Sequence, residues 1–254
     1  MHISRGDFQI DPGLALPEDE VHLWRVDLEA LREGESRRQK LLSADEARRA
    51  GRFHSPLDRN RFAASRALLR LLLGSYLRTE PDRLSFSYSK KEKPSLAPPY
   101  SESGIRFNIS HSGEVALLAF TCRRDIGVDV EQLHRNIEID SIARRFFSLR
   151  EQQQLAAVRK EEQFDAFFRC WTRKEAYIKA TGEGLSLPLD QFDVSIAVGD
   201  ADALIATRPD ASEAALWSIR DIPAGAGYVG AICVRGRDWQ LKDWTGETLQ
   251  NSRK

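Results

Sequence analysis

The segment 126–131, Ile-Gly-Val-Asp-Val-Glu, most strongly constrains how this chain folds. It places two carboxylates two positions apart in a short apolar run. In a strand, such residues project to the same side, so Asp129 and Glu131 converge on one face. Val128 and Val130 then face the core. The segment therefore predicts a strand with one apolar face and one face that carries two acids.

A second segment, Trp171-Thr-Arg-Lys-Glu-Ala-Tyr-Ile-Lys179, places Glu175 one helical turn before Lys179, so that both share a helix face. Carboxylates held on rigid elements repel one another unless a cation lies among them. Mg²⁺ prefers carboxylate and phosphate oxygens. Asp129, Glu131 and Glu175, together with Lys179, therefore predict a metal-dependent enzyme that acts on a phosphate group. Taken singly, an exposed strand face explains Asp-x-Glu, and a surface ion pair explains Glu175 with Lys179.

The balance of charge argues against a nucleic-acid partner. The 254 residues include 38 basic and 38 acidic side chains, whereas a general nucleic-acid binder normally carries a strongly basic domain. Cys122, Cys170 and Cys233 are far apart and match no metal-ligand spacing. The first residues contain no apolar signal core, and no window approaches a membrane span. We expect a cytoplasmic protein with no membrane partner.

Capping patterns and hydrophobic periodicity predict the order of the helices and strands. Ser43 with Glu46, and Ser148 with Glu151, form capping-box patterns that begin helices. The predicted helices are 43–53, 57–77, 148–158 and 162–180. The predicted strands are 21–26, 84–88, 105–109, 115–122, 126–131, 192–198, 204–207, 216–219 and 228–234, with a loop over 89–103 and a turn over 110–113. Helices followed by strands in each half favour an α+β fold over a doubly wound parallel sheet.

The segment 107–113, Phe-Asn-Ile-Ser-His-Ser-Gly, is a candidate for binding an anion. Ser110 and His111 lie where a predicted strand becomes a turn, which exposes polar side chains and backbone N–H groups to a phosphate. Capping of the turn by Ser110, with His111 as a surface residue, explains the same pattern equally well. A serine-hydrolase triad is disfavoured, because the segment lacks a Gly-x-Ser-x-Gly elbow.

A basic segment supplies further candidates. Residues 48–70 are rich in arginine and include a single acid, Asp58. Most of these arginines suit a solvated helix face, but Arg49 and Arg61 are candidates for contacting phosphate oxygens, which the guanidinium fork matches. Lys93, before Pro94, is either a loop charge or a further anion contact.

Four motifs resemble a known family in their order and spacing. They are Phe107-Asn-Ile-Ser-His-Ser-Gly, Ile126-Gly-Val-Asp-Val-Glu, Phe168-Arg-Cys-Trp-Thr-Arg-Lys-Glu-Ala-Tyr-Ile-Lys-Ala and Gly182-Glu-Gly-Leu-Ser-Leu-Pro-Leu-Asp190. Together they are similar to the 4′-phosphopantetheinyl transferases of the surfactin-synthetase-activating (Sfp) type, over about residues 43–198. The resemblance implies transfer of phosphopantetheine from coenzyme A to a serine of an apo acyl or peptidyl carrier protein, with Mg²⁺ and release of 3′,5′-ADP.

The resemblance also implies a fold and its division. It implies a pseudo-twofold pair of similar α+β subdomains, each with a small, mainly antiparallel sheet packed on helices. Residues 1–122 would form the subdomain that contacts coenzyme A, and residues 126–254 the subdomain with the metal and catalytic residues. The active site would lie in the cleft between them, and a monomer would suffice to complete it.

Carried over by position, the second subdomain supplies the chemistry. Asp129, Glu131 and Glu175 match the metal ligands on the pyrophosphate. Glu175 also matches the group that deprotonates the carrier serine, and its two roles stay open. Lys179 matches a contact to the pyrophosphate.

The first subdomain supplies coenzyme A contacts by the same comparison. Ser110 and His111 match two of them, with His111 near the adenosine 3′-phosphate, and Lys93 matches the family's Lys-Pro contact. Arg49 and Arg61 fall where this half supplies further basic contacts. One departure is Glu46, which stands where family members can carry a basic residue.

Two alternatives belong to other classes. A metal-dependent nuclease or phosphohydrolase can also carry an Asp…Glu-x-x-x-Lys pattern, but the zero net charge argues against a nuclease. A non-catalytic module that binds coenzyme A or a carrier protein would not need all three acids and Lys179. The identity of the carrier stays open.

Overall fold

The structure is a computed structural model, and it describes residue 10 and residues 13–31, 38–134, 136–199 and 203–244. The helices within these ranges are α1 (Ala44–Ala50), α2 (Pro56–Leu77), α3 (Ile139–Phe146), α4 (Leu149–Ala157) and α5 (Gln163–Thr181). The strands are β1 (Glu20–Asp27), β2 (Phe86–Tyr88), β3 (Pro94–Leu96), β4 (Ile105–Ser112), β5 (Val115–Cys122), β6 (Ile126–Gln132), β7 (Phe192–Val194), β8 (Leu204–Thr207), β9 (Trp217–Ile222), β10 (Tyr228–Arg235) and β11 (Gln240–Asp243). The predicted α+β class is confirmed. No helix in the described ranges is long and apolar enough to cross a membrane.

The first half of the chain builds a four-stranded sheet in the order β11, β1, β5, β4. Strand β5 pairs antiparallel with both β1 and β4. Helix α2 packs on this sheet, where Leu68, Leu69 and Leu72 are buried in one cluster with Trp24 and Phe120. The fourth strand, β11, comes from the far end of the chain and lies parallel to β1.

The second half builds a three-stranded antiparallel sheet in the order β6, β10, β9. Helix α5 packs against β6 and β10, and Phe167, Tyr177 and Ile178 of this helix are buried in a cluster with Ile219 and Cys233. Each half therefore has one long helix on a mainly antiparallel sheet.

The two sheets share an apolar layer. Leu23 of β1 and Leu117 of β5 belong to the same buried cluster as Val128 and Val130 of β6. The apolar face predicted for the strand at 126–131 is thereby confirmed. The opposite face of β6 packs against α5.

Polar side chains join β4 to β6. Hydrogen bonds run from the backbone N–H groups of β6 to side-chain oxygens of β4: Val128 to Asn108 (2.9 Å), Val130 to Ser110 (3.4 Å) and Gln132 to Ser112 (3.1 Å). The three acceptors are two positions apart, so they lie on one face of β4 and meet every second N–H of β6. This side-chain ladder satisfies backbone donors that would otherwise be buried without partners.

Most predicted elements are confirmed, and both capping boxes are present. The predicted turn over 110–113 is wrong: β4 pairs with β5 as far as Ser112, and the chain reverses at Gly113, whose φ is 53°. The predicted loop over 89–103 contains β3, which pairs with β2. Helix α3 and strand β11 were not predicted.

Gly127 makes the close packing of β6 on α5 possible. A Cβ built there would overlap the carbonyl oxygen of Ala176 and the amide nitrogen of Ala180. Both atoms belong to the helix backbone, so they cannot move aside as a flexible side chain can.

We therefore predict that Gly127→Ala lowers the free energy of unfolding by about 2–4 kcal/mol, as overpacking does in a close-packed interior. Urea denaturation measures the change. Gly51→Ala is the matched control, because Gly51 has a φ of −64° and a Cβ there meets only ordinary van der Waals contacts. Equal stabilities of the two variants would contradict the close approach of helix and strand.

Candidate active site

Asp129 lies on the face of β6 that packs against α5, and only 2% of it is exposed. The ammonium of Lys179 donates to Asp129 Oδ1 at 2.5 Å and to Ser110 Oγ at 3.0 Å. Ser110 Oγ in turn donates to Asp129 Oδ1 at 2.9 Å. Among the described residues, the other carboxylate oxygen, Oδ2, is buried without a hydrogen-bond partner. One side of this carboxylate is therefore neutralised, and the other offers an unused oxygen.

Glu131 lies two residues further along β6, as predicted, and is held by Ser112, another residue of the side-chain ladder. The hydroxyl of Ser112 donates to Glu131 Oε2 at 2.9 Å. Burial and then the charge of Asp129 raise the pKa of Glu131, whereas Ser112, Lys179 and the indole of Trp171 on α5 lower it.

Glu175 enters from α5, one turn before Lys179. Within the described residues it makes no hydrogen bond or ion pair. Burial raises its pKa from 4.5 to about 7; the charges of Asp129 and Glu131 add to the rise, and Lys179 opposes it. Helix α5 packs on the face of β6 that carries Asp129 and Glu131, and Lys179 contacts Asp129, so the three predicted acids and Lys179 lie between these two elements. We call these four residues the carboxylate cluster.

The carboxylate cluster fits a hard divalent cation in its chemistry. As placed, no group of three or more His, Cys, Asp or Glu side chains in the described ranges could hold a metal ion. However, carboxylate oxygens are the donors that Mg²⁺ prefers, and Asp129 Oδ2 is buried without a partner. Burial raises the pKa of Glu131 and Glu175, and repulsion from neighbouring acids adds to the rise; a cation here would relieve that repulsion.

A cavity of about 410 Å³ lies against β4, where Asn108, Ile109 and His111 line it. Its lining combines basic and aromatic side chains, and we call it the basic cavity: it includes Arg49, Arg52, Arg66 and His111, with the rings of Phe53, Phe62 and Tyr88. Because successive strand residues point to opposite faces, Ser110 contacts the carboxylate cluster while His111 lines the basic cavity. Desolvation by the surrounding protein lowers the pKa of His111, and the positive charges of Lys179 and Arg61 lower it further.

Two of the predicted coenzyme A contacts, Lys93 and Arg61, lie away from the basic cavity. The ammonium of Lys93 donates to the backbone carbonyls of Ile126 (3.1 Å) and Ala180 (2.9 Å), so it links the β2–β3 hairpin to the second half. The guanidinium of Arg61 is paired with Glu114 at 2.6 Å and with Asp58 at 3.1 Å. Their roles as coenzyme A contacts stay predictions.

Comparison with known proteins identifies the family. The chain is 41% identical to the 4′-phosphopantetheinyl transferase HetI of Nostoc sp. over 236 residues, which cover 92% of this chain and 95% of that protein. The chain belongs to the 4′-phosphopantetheinyl transferase superfamily. The superfamily model matches residues 125–233, and the model for the N-terminal part of 4′-phosphopantetheinyl transferases matches residues 32–123.

Two further matches share less sequence identity with this chain. The 4′-phosphopantetheinyl transferase Sfp of Bacillus subtilis is 31% identical over 82% of this chain and 88% of its own length. Among solved structures, the holo-[acyl-carrier-protein] synthase of Thermotoga maritima aligns with 44% of this chain and 62% of that chain, at 18% identity and a TM-score of 0.34.

Some residues that support the candidate site were not predicted from the sequence. Asn108 and Ser112 complete the side-chain ladder that holds β6, and the alternating polar pattern Asn-x-Ser-x-Ser could have indicated them. Trp171 contacts Phe146 and Phe167, with ring centroids 5.7 and 6.3 Å away, and its indole also lowers the pKa of Glu131.

We predict that Glu175→Gln stabilises the metal-free protein in a pH-dependent way. A carboxyl whose pKa is raised on folding favours the folded state at low pH, and this contribution is lost as the pH rises from 4.5 through about 7. Above pH 8 the variant should therefore be more stable than the parent by about 2 kcal/mol, after allowance for partial solvent screening. At pH 4.5 the two should be nearly equal.

Urea denaturation at both pH values, with a chelator present, checks this. Glu161→Gln is the control, since Glu161 is exposed. A constant difference between Glu175→Gln and the parent across this range would contradict the raised pKa.

Proposed function

We propose that this protein transfers the 4′-phosphopantetheine group of coenzyme A to a serine of an apo carrier protein and releases 3′,5′-ADP. The observation that carries the proposal is the carboxylate cluster, which lies next to a cavity lined by arginines and aromatic rings. Phosphoryl-type transfer asks a protein mainly for positioning and for neutralisation of charge. These two neighbouring sites supply both.

In the proposed reaction, the serine Oγ forms a bond with the phosphorus that carries the pantetheine. The bond from this phosphorus to the oxygen that bridges the pyrophosphate breaks, and 3′,5′-ADP leaves with that electron pair. Glu175 accepts the serine proton, directly or through a water molecule. Within the described residues its carboxylate makes no hydrogen bond or ion pair, which leaves an oxygen available for the proton.

We further propose that Asp129, Glu131 and Glu175 hold Mg²⁺. The orphaned Oδ2 of Asp129 and the raised pKa of the other two acids support this assignment. When bound, the metal neutralises charge on the pyrophosphate. Lys179, which lies on Asp129 at 2.5 Å, would then be free to contact the phosphate oxygens.

The adenosine end of coenzyme A is proposed to occupy the basic cavity. Its aromatic rings suit a base, and His111 and Arg49 suit its 3′-phosphate. Ser110 and Lys93 would act less directly, since Ser110 supports Asp129 and Lys93 fastens the two halves together. Arg61 would contact the substrate only if it left Glu114.

The proposed partners are coenzyme A and an apo acyl or peptidyl carrier protein, which a monomer would bind across the cleft between its halves. We keep the division into 1–122 and 126–254 as a proposal, supported by the two family models that meet between residues 123 and 125. Strand β11 is the exception, because it joins the sheet of the first half. Location in the cytoplasm also stays a prediction.

The direct test is intact-mass analysis of an apo carrier protein incubated with the protein, coenzyme A and Mg²⁺. We expect a gain of one phosphopantetheinyl group, which is lost when a chelator replaces the metal. Cleavage of coenzyme A without a mass gain on any carrier would favour a phosphohydrolase instead. Binding of coenzyme A with neither reaction would favour a non-catalytic module.

The same assay tests the residue roles. Glu175→Gln and Asp129→Ala should each lower the rate of transfer by at least about a hundredfold, because each removes a carboxylate from the reacting centre. Both variants should give the far-ultraviolet circular dichroism spectrum of the parent. Glu161→Gln should transfer at the parent's rate. A near-normal rate for either site variant would refute its assignment.

A further inference from the structure

Glu46 is fully buried beside the basic cavity, and it holds two arginines of α2. Its Oε1 accepts from Arg66 Nε at 2.8 Å, and its Oε2 accepts from Arg70 Nε at 2.6 Å. Oε2 also accepts from the backbone N–H of Ser43 at 2.9 Å, which completes the capping box of α1. One negative charge thus faces two positive charges, so this group of three side chains keeps a net positive charge.

The two arginines differ in what else they bind. The Nη1 atom of Arg70 donates to the carbonyl oxygens of Pro81 and Leu84, at 2.9 Å each, and the residue is 1% exposed. Arg70 is therefore committed to the backbone. Arg66 Nη2 donates to the hydroxyl of Tyr88 at 3.1 Å, but within the described residues Nη1 makes no hydrogen bond. Arg66 also lines the basic cavity, and Arg70 does not.

The other arginines of the basic cavity are held less firmly. Arg49 lies over the ring of Tyr88, 4.5 Å from its centroid, and is paired at 3.0 Å with Glu92, whose side chain is 76% exposed. Arg52 is exposed. Arg66, by contrast, is buried, bound at two of its nitrogens, and stacked 4.8 Å from the centroid of Phe86. Its guanidinium is already ordered, so little conformational entropy is lost when an anion binds.

We propose that Arg66 binds the ribose 3′-phosphate of coenzyme A through Nη1, with its guanidinium oriented by Glu46 and Tyr88. This inference rests on the proposed function. The reacting pyrophosphate belongs at the carboxylate cluster, which Ser110 contacts, whereas the basic cavity is lined by Arg66 and His111. The remaining phosphate of coenzyme A is the one on the ribose 3′ oxygen, so it is the phosphate that the basic cavity receives.

The proposal gives Glu46 a positioning role. An acid at this position cannot itself bind phosphate, but it fixes the arginine that does. A buried positive charge is supplied from α2, in addition to Arg49 of α1, and it reaches the cavity from a side chain that solvent screens little. Tyr88 contacts both cavity arginines: its hydroxyl accepts a hydrogen bond from Arg66, and Arg49 lies over its ring.

Isothermal titration of the full chain with 3′,5′-ADP and with 5′-ADP tests the proposal. Arg66→Gln should raise the Kd for 3′,5′-ADP roughly tenfold or more, the effect of losing a charge-assisted hydrogen bond. It should change the Kd for 5′-ADP less than twofold. In the transfer assay, KM for coenzyme A should rise in the same proportion while kcat stays within about twofold.

Arg70→Gln is the matched control. It removes the same kind of hydrogen bond to Glu46 but takes nothing from the basic cavity, so both Kd values should stay within twofold. If Arg66→Gln does not fold, Arg66→Lys takes its place. A lysine keeps the charge beside Glu46 but has no second nitrogen to reach the cavity, so at least a threefold loss for 3′,5′-ADP is expected.

An equal loss of affinity for the two nucleotides, no loss for either, or the same loss in Arg70→Gln would overturn the proposal. Its failure is separable from failure of the proposed function, because the titrations need no transfer. If carrier protein is modified normally but Arg66→Gln binds 3′,5′-ADP as the parent does, only the Arg66 assignment fails. Selective binding that depends on Arg66, without transfer to any carrier, would leave the assignment standing and refute the transferase activity.

Discussion

The side-chain ladder from β4 to β6 is the contact on which the rest of the molecule depends. Two sheets that each satisfy their own backbone could slide past one another on an apolar layer, because dispersion contacts are not directional. Hydrogen bonds from every second N–H of β6 to Asn108, Ser110 and Ser112 fix the register between the halves. Two of these acceptors also donate to the acids Asp129 and Glu131. The joint between the halves and the candidate active site are therefore built from the same atoms.

Local rules were sufficient to predict the carboxylate cluster. Two acids separated by one residue in a strand share a face, and an acid and a lysine four apart in a helix share another. Gly127 then lets the two elements approach until the faces meet. The capping boxes at Ser43 and Ser148 are local in the same sense, since the groups involved lie within three residues of one another.

What sequence reasoning missed depends on contacts between distant parts of the chain. Lys93 reaches a carbonyl oxygen 87 residues away, and Arg61 meets an acid 53 residues away. No local pattern distinguishes these side chains from solvated charges. Glu46 shows the same limit: its capping role was predicted, whereas its burial against Arg66 and Arg70 follows from the way α1 packs on α2.

Strand β11 has a consequence for how the protein is made. It lies parallel to β1, and Trp244, just after it, stacks on Trp24 with ring centroids 4.9 Å apart. On the ribosome, the first half emerges long before residues 240–243, so one edge of β1 stays unpaired while the second half is synthesised. An open edge is a template for pairing with another nascent chain. Closure of that edge by the last strand makes the native assembly of the first half wait for nearly all of the second.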